Sequence, residues 1–336
     1  MPSLPKPRLR RTTRARGAVV TPPPEPRAAR VEVLEGGPEG RELRWINIDG
    51  FRSSERDWLQ DHFEFHPLDY EDLSSRNQRP KVDEYEDYLF VVLQFPRYDK
   101  QLGRLSAAEV DVFLGPDYVL TVPNQPLRSL DYLFERCQAD GELREQLFGK
   151  GAGYLLYRIV DDAVDASFPM LRKMGNKLER LEDDVFEGRS TEVVRDIFNV
   201  KQEIINFRRV VRPMRSALAD LERTTKRYVD EGLDVYFDDI NDASERVWDM
   251  LENFKEVVEA LESTNESVIS HELNSVLRVL TAFSVIMLPL TLIASIFGMN
   301  VHVPGEETVS GFWLVVGVMV VLLVGLVTVF RRRGFL

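Results

Sequence analysis

The sequence predicts an α/β domain followed by long stalk helices and two C-terminal transmembrane helices. Short apolar runs separated by turn residues fill residues 31–150, which is typical of mixed strands and helices. Residues 151–278 repeat apolar side chains at steps of three and four, as long packed helices do. Residues 279–297 and 312–330 are uncharged, and as helices they would each be about 28 Å long, the thickness of a bilayer's hydrocarbon core.

A basic tail, residues 1–30, precedes these regions. It holds eight Lys or Arg and a single acid, Glu25, and it is rich in proline. Such a composition cannot bury apolar surface, so we predict a disordered segment that contacts anionic lipid headgroups. An Arg-rich start also resembles an organelle transit peptide, although the prolines disfavour it. Nothing else in the sequence favours a nucleic-acid partner.

Within the α/β domain, four apolar runs predict strands and two longer segments predict helices. The strands are residues 43–48, 88–95, 110–114 and 118–122, and the helices are residues 55–65 and 127–148. The run 88–95 is apolar on both faces, so it should lie inside a sheet. Gly115-Pro116-Asp117 separates the last two strands and predicts a hairpin.

The stalk region, residues 151–278, predicts three helices. The first covers residues 160–185, and the second covers residues 191–224 with a kink at Pro213. From Asp238 onward no proline or glycine occurs before Pro289, so the third helix should continue into the first span. Such a helix, about 60 residues and 90 Å long, would carry a displacement from the soluble part to the membrane without a flexible joint.

The charges beside the two spans predict their orientation. The connecting segment, residues 298–311, contains Glu306 and Glu307 but no Lys or Arg. Arg278 precedes the first span, and three Arg begin the basic end, residues 331–336. Positive charge accumulates on the cytoplasmic side, so both termini and the α/β domain should be cytoplasmic. We therefore expect a multi-pass protein of the inner (plasma) membrane.

The first span carries a stripe of small and polar residues. Its members recur at steps of three, four and seven and so share one helix face: Asn274, Thr281, Ser284, Leu288, Thr291, Ser295 and Gly298. Such a stripe is used for close helix–helix packing, with hydroxyls bonded to their own backbone, and also as a pore wall. The spacing alone favours neither interpretation. A pore would require a ring of several subunits, since one helix encloses nothing.

The remaining sequence predicts a protein that is not an enzyme. It lacks a Gly-rich phosphate loop and the GxSxG and HExxH motifs. The single cysteine, Cys137, excludes an internal disulfide and a Cys-rich metal site. His62 and His66 are better explained by capping or core roles than by metal binding, and the pair Asp161-Asp162 by a solvated helix face. Residues 31–278 carry a net charge of −20, which attracts divalent cations.

The segment 274–300, which ends in Gly298-Met299-Asn300, resembles the first membrane helix of the CorA family of divalent-cation transporters. Further segments resemble the same family: HPLDYEDL (66–73), QRPKVDEYEDYLFVVLQF (78–95), YFDDINDA (236–243) and RRRGFL (331–336). The resemblance covers residues 45–336. It implies a funnel-shaped homopentamer whose first span lines the pore, and a function in the uptake of hydrated Mg²⁺ and Co²⁺, gated by cytoplasmic Mg²⁺.

The resemblance also implies roles for single residues. Gly298, Met299 and Asn300 form the signature, with Asn300 ringing the outer mouth. The implied conduit and constriction are formed by Asn274, Thr281, Ser284 and Thr291, and by Leu277, Leu280 and Leu288. Asp99 and Asp239 match acidic positions that bind regulatory Mg²⁺ between subunits. The loop VHVPGEETVS departs from the family's usual acidic loop, so Glu306 or Glu307 would supply the external acid, and Ser263 replaces an acid of some relatives.

Two alternatives remain open on the sequence. A zinc transporter of the same superfamily, driven by a proton gradient, would share the fold, and His271 and His302 flank the first span. A membrane-anchored sensor would bind metal without moving it. On the family resemblance, Mg²⁺ is the expected transported and regulatory ion, and Co²⁺, Ni²⁺ and Zn²⁺ are further candidates.

Overall fold

The computed structural model describes residues 30–39, 42–75, 78–99, 104–186, 190–225, 234–299 and 309–334. Asn300, His302, Glu306 and Glu307 lie outside these ranges, as does the basic tail up to residue 29. The roles predicted for these residues therefore stay predictions.

The α/β domain is built on one six-stranded sheet. Its strands are β1 Val31–Gly36, β2 Leu43–Ile48, β3 Lys81–Glu84, β4 Leu89–Asp99, β5 Arg104–Leu114 and β6 Tyr118–Pro123. They lie in the order β1-β2-β6-β5-β4-β3, and only the β2–β6 pair is parallel. The predicted hairpin at Gly115 joins β5 and β6, and the Gly115 amide donates to the Tyr118 carbonyl at 3.0 Å. β4 is an interior strand, as its apolar faces predict.

Helices cover both faces of this sheet. On one face, α1 Ser53–His62 and α2 Pro67–Ser74 lie over an aromatic core that includes Phe65, Phe90 and Phe113. The other face is covered by α3 Arg128–Ala139, α4 Gly141–Phe148 and α5 Ala152–Asp165. Trp45 is fully buried there and donates from its indole N–H to the Thr121 hydroxyl at 3.2 Å.

Two predicted helices are each interrupted once. The predicted helix 127–148 is divided because the Asp140 carboxylate accepts from the amides of Glu142 and Leu143 and starts α4 there. The predicted helix 160–185 is divided at Ala166, between α5 and α6 Ser167–Phe186. Pro169 lies in the first turn of α6 and has no amide to continue the α5 hydrogen-bond ladder. The sequence reading also missed β1, α2 and β3.

The stalk is a bundle of α6, α7 Ser190–Thr225 and α8 Asp234–Phe297. Its core contains Leu171, Phe207 and Leu251, and the Lys201 and Glu262 side chains pair at 2.6 Å. α7 continues through Pro213. α8 has 64 residues and is therefore about 96 Å long, which confirms the continuous helix from stalk to membrane.

The second span is α9 Val309–Arg332, which packs along the last part of α8. Among the described residues, α8 and α9 are the two helices long and apolar enough to cross a membrane. None of α9 is buried in the single chain, so its apolar surface needs lipid or another subunit around it.

Candidate ion pathway

The membrane part of α8 has one face covered by α9 and one face open. Ala282 and Ile286 are buried, with 0% and 8% of their surface exposed, whereas Leu288 is 69% exposed. Successive residues of a helix are about 100° apart, so Ser284, Leu288 and Thr291 lie opposite Ala282 and Ile286. The polar stripe therefore does not serve to pack the two spans of one chain together. It must face lipid, another subunit or water.

Three hydroxyls of the stripe are bonded to their own helix. Thr281, Ser284 and Thr291 donate to the carbonyls of Leu277, Leu280 and Met287 at 2.7, 2.9 and 2.8 Å. Because the proton is committed to the backbone, each oxygen presents lone pairs outward and can accept a further hydrogen bond. The hydrogens of an ion's hydration shell point away from the cation. Oriented acceptors of this kind suit such a shell.

The three leucines predicted to narrow the pore are exposed in the single chain. Leu277, Leu280 and Leu288 have 56%, 58% and 69% of their surface exposed. Asn274 is also exposed. One chain therefore brings the polar and apolar members of the stripe to one open surface, and a constriction requires further copies of α8.

Two of the signature residues, Gly298 and Met299, follow the C-terminal end of α8. The amide of Gly298 donates to the Ala294 carbonyl at 2.9 Å, and a Cβ at Gly298 would lie 3.1 Å from that oxygen. Glycine therefore allows the chain to turn tightly there, before Met299. The helix ends at Phe297, so its last carbonyls carry a partial negative charge. This end of the helix attracts cations.

The two acids predicted to bind regulatory metal have different surroundings. Asp239 is exposed on the second turn of α8, close enough to Asp161 on α5 to raise the pKa of that carboxyl. Asp99 ends β4, and its carboxylate lies 3.3 Å from the Arg97 guanidinium. A metal ion at Asp99 would have to displace Arg97. In the part of the chain that the structure describes, no three His, Cys, Asp or Glu side chains converge as a metal site.

The structure corrects the interpretation of Asp161 and Asp162 and supports that of the histidines. Arg158 bridges Asp161 and Asp162 at 2.9 and 2.6 Å, and both carboxylates are largely shielded from solvent. Burial, and secondarily Asp165, raises the pKa of Asp161. The pair is thus not a solvated face, and the spacing of Arg158 at i−3 and i−4 was the signal for it. His66 caps α2, as expected, and its Nδ1 accepts from the Leu68 amide at 3.3 Å.

Comparison with known proteins identifies the family of this chain. Residues 40–332 match the family described as CorA-like Mg²⁺ transporter protein. The chain belongs to the CorA family. It is 33% identical to the cobalt/magnesium transport protein CorA of Thermotoga maritima over 87% of this chain and 83% of that protein. The fold matches the CorA magnesium transporter structure of Methanocaldococcus jannaschii with a TM-score of 0.79, at 22% identity and over 90% and 98% of the two chains.

CorA membership identifies the chain as a membrane transporter of divalent cations and not an enzyme. A more distant relative is the zinc transport protein ZntB of Yersinia pseudotuberculosis, 18% identical over 87% of this chain and 88% of that protein. Relatives with different ions in their names thus match this chain over most of its length. The choice of ion depends on the chemistry of the pathway.

Proposed function

We propose that this CorA-family protein forms a homopentameric channel that admits hydrated Mg²⁺, and also Co²⁺, to the cytoplasm. The observation that carries the proposal is the open polar stripe of α8, which lies opposite the contact with α9. A ring of copies would turn five such stripes toward one axis, and α9 would form the outer, lipid-facing layer. Packing within one chain does not account for the stripe.

The lining chemistry suits an ion that keeps its water. Mg²⁺ dehydrates reluctantly and prefers octahedral oxygen, so a pore for it works best by binding its hydration shell. The stripe offers hydroxyl acceptors and amides but no Asp or Glu. Without a fixed negative charge the ion is held weakly at several levels and can leave again. Asn300 of each copy would form the first of these levels.

The membrane potential would drive the ions inward, and negative charges at the outer mouth would attract them. With both termini in the cytoplasm, an inside-negative potential contributes about 4.6 kcal/mol for a divalent ion per 100 mV. The α8 C-terminal end would then face outward, with Glu306 and Glu307 in the loop beyond it. These charges attract cations to the mouth.

Product feedback would close the channel. The soluble part is strongly acidic, and neighbouring subunits repel one another when no cation lies between them. Mg²⁺ held at Asp239 and Asp99 of adjacent copies would lock the ring, and its loss would release the stalks. At one half of this bridge, Asp161 lies near enough to Asp239 to add negative charge, although it is paired with Arg158. Arg97 competes with the metal at the other half.

The decisive experiment is ion flux into liposomes that contain the purified full-length protein. Mg²⁺, Co²⁺, Ni²⁺ and Zn²⁺ are compared, with and without a pH gradient, for the wild type and Asn300→Ala. We expect Mg²⁺ and Co²⁺ flux that needs no pH gradient and that falls in the variant. Zn²⁺ flux that requires a proton gradient would replace this proposal by the zinc transporter. Binding of Mg²⁺ without any flux would replace it by a sensor.

A further inference from the structure

A cleft on the soluble part lies apart from the membrane pathway. It has a volume of about 870 Å³ and lies between the end of the β4–β5 hairpin, the start of α3, and α6 with α7. Four cationic side chains line it: Arg97, Arg128, Lys173 and Lys177. Two acids also line it, Asp99 and Glu203. A cationic cleft is unexpected on a region, residues 31–278, that carries a net charge of −20.

The two acids are already occupied by two of the cations. The Arg97 guanidinium lies 3.3 Å from Asp99, and the Lys177 ammonium lies 3.0 Å from Glu203. The other two cations, Arg128 and Lys173, make no hydrogen bond or ion pair with any residue that the structure describes. The cleft therefore has two positive charges in excess.

Two buried donors in the same cleft have no acceptor. The Arg97 Nε and the Ser129 Oγ are both shielded from solvent, and neither has a hydrogen-bond partner. Leaving such a group unsatisfied costs on the order of 1–3 kcal/mol, so a bound acceptor would recover that free energy. Ser129 is the second residue of α3, whose N-cap is Leu127 and makes no side-chain cap. The first amides of this 12-residue helix add partial positive charge beside the Ser129 hydroxyl.

The rest of the wall is apolar. Leu105 and Met174 are buried and Met170 is half-buried, and all three line the cleft. Thioether side chains adapt to flat or irregular partners. The volume is far larger than one inorganic phosphate needs and lies within the range of about 300–1,000 Å³ typical of small-molecule sites. The ligand should therefore carry both an anionic group and an apolar body.

We propose that this cleft binds a phosphate-bearing organic anion of nucleotide size. After side-chain rotations that open Arg97 Nε and Ser129 Oγ to the cleft, the phosphate oxygens would accept from these two groups and from Arg128 and Lys173. The base or a similar ring would lie against Leu105 and the methionines. Guanidinium groups match the geometry of phosphate oxygens, and several donors suit a group with several acceptors. Asp99 of this cleft is also a residue proposed to hold regulatory Mg²⁺, but the binding of the organic anion is tested without Mg²⁺ and does not depend on ion flux.

The test is calorimetric titration of ADP into the full-length protein in detergent, at low salt and with EDTA to remove Mg²⁺. The double variant Arg128→Ala/Lys173→Ala should bind ADP on the order of tenfold or more weakly, because two charge-assisted hydrogen bonds are lost. The matched control is Arg172→Ala/Arg180→Ala, which removes the same charge from exposed positions of α6 outside the cleft. It should bind ADP like the wild type.

Two further measurements test the Ser129 hydroxyl and the apolar wall of the cleft. Ser129→Ala should also weaken ADP binding without lowering the melting temperature of the free protein, because it removes a buried hydroxyl that has no partner there. Inorganic phosphate should bind more weakly than ADP, since it makes no contact with the apolar wall. Absence of ADP binding to the wild type, equal losses in the two double variants, or phosphate binding as tight as ADP binding would each overturn the proposal.

Discussion

Replacing Thr291 by valine tests whether the α8 stripe lines a pore. Valine has nearly the same shape as threonine, so Thr291→Val removes an oxygen and little else. In the structure this oxygen donates to the Met287 carbonyl at 2.8 Å and is left as an acceptor on the open face of α8. Each acceptor lost to a hydrated ion costs about 1 kcal/mol. An ion whose shell meets two or three of the five copies would then face a barrier higher by about 2–3 kcal/mol, which is about 30- to 150-fold in rate.

The second span offers a matched control for this change. Thr328 on α9 is exposed, and its hydroxyl donates to the Val324 carbonyl at 2.7 Å, the same bond in the same kind of helix. Thr328→Val should leave Mg²⁺ flux unchanged, since α9 is placed in the outer layer. Flux is followed with a Mg²⁺-sensitive dye inside liposomes, at equal protein incorporation. Unchanged flux in Thr291→Val, or equal losses in both variants, would refute the pore assignment of the stripe.

Two further predictions concern a buried acid and the metal feedback. Asp111 is 1% exposed, one carboxylate oxygen lacks a partner, and burial together with Glu109 raises its pKa well above the ordinary value. The folded state thus keeps a proton that the unfolded chain releases above about pH 4, so the stability of the fold falls as the pH rises from there. Asp111→Asn should therefore raise the melting temperature at neutral pH but not near pH 4. Equal melting temperatures of variant and wild type at neutral pH would contradict this. The Asp239→Ala and Asp99→Ala channels should each conduct at Mg²⁺ concentrations that close the wild type. Asp238 is a neighbouring exposed acid, so the control variant Asp238→Ala should close normally. Inhibition by Mg²⁺ that persists in both of the first two variants would exclude the proposed bridge.

Local patterns predicted the elements that depend on neighbours in sequence. The absence of proline and glycine between Asp238 and Pro289 predicted the continuous α8, and Gly115-Pro116-Asp117 predicted the β5–β6 hairpin. The breaks at Asp140 and Ala166 were missed because helical periodicity continues across them. Their causes are a side-chain cap and a proline in the following turn, which do not alter the apolar pattern.

Elements with little pattern of their own were also missed. β3 has four partly exposed residues, and it is a strand because the edge of β4 supplies its hydrogen bonds. α2 buries Asp69 beneath the hydroxyls of Tyr85 and Tyr88, which donate to its carboxylate at 2.8 and 2.6 Å. A buried carboxylate breaks the apolar pattern, so sequence reading could not recognise the helix that contains it.

The sequence by itself determined that the chain spans a membrane twice, that a rigid helix connects its soluble part to the first span, and that one face of that span is polar. Those properties follow from length, charge and helical period, which are local. Only the tertiary structure decided that α9 covers Ala282 and Ile286 and leaves the stripe open. It alone brought residues from β4, α3 and α6 together around one cationic cleft. Packing between distant segments selects which face is buried, and no local pattern contains that choice.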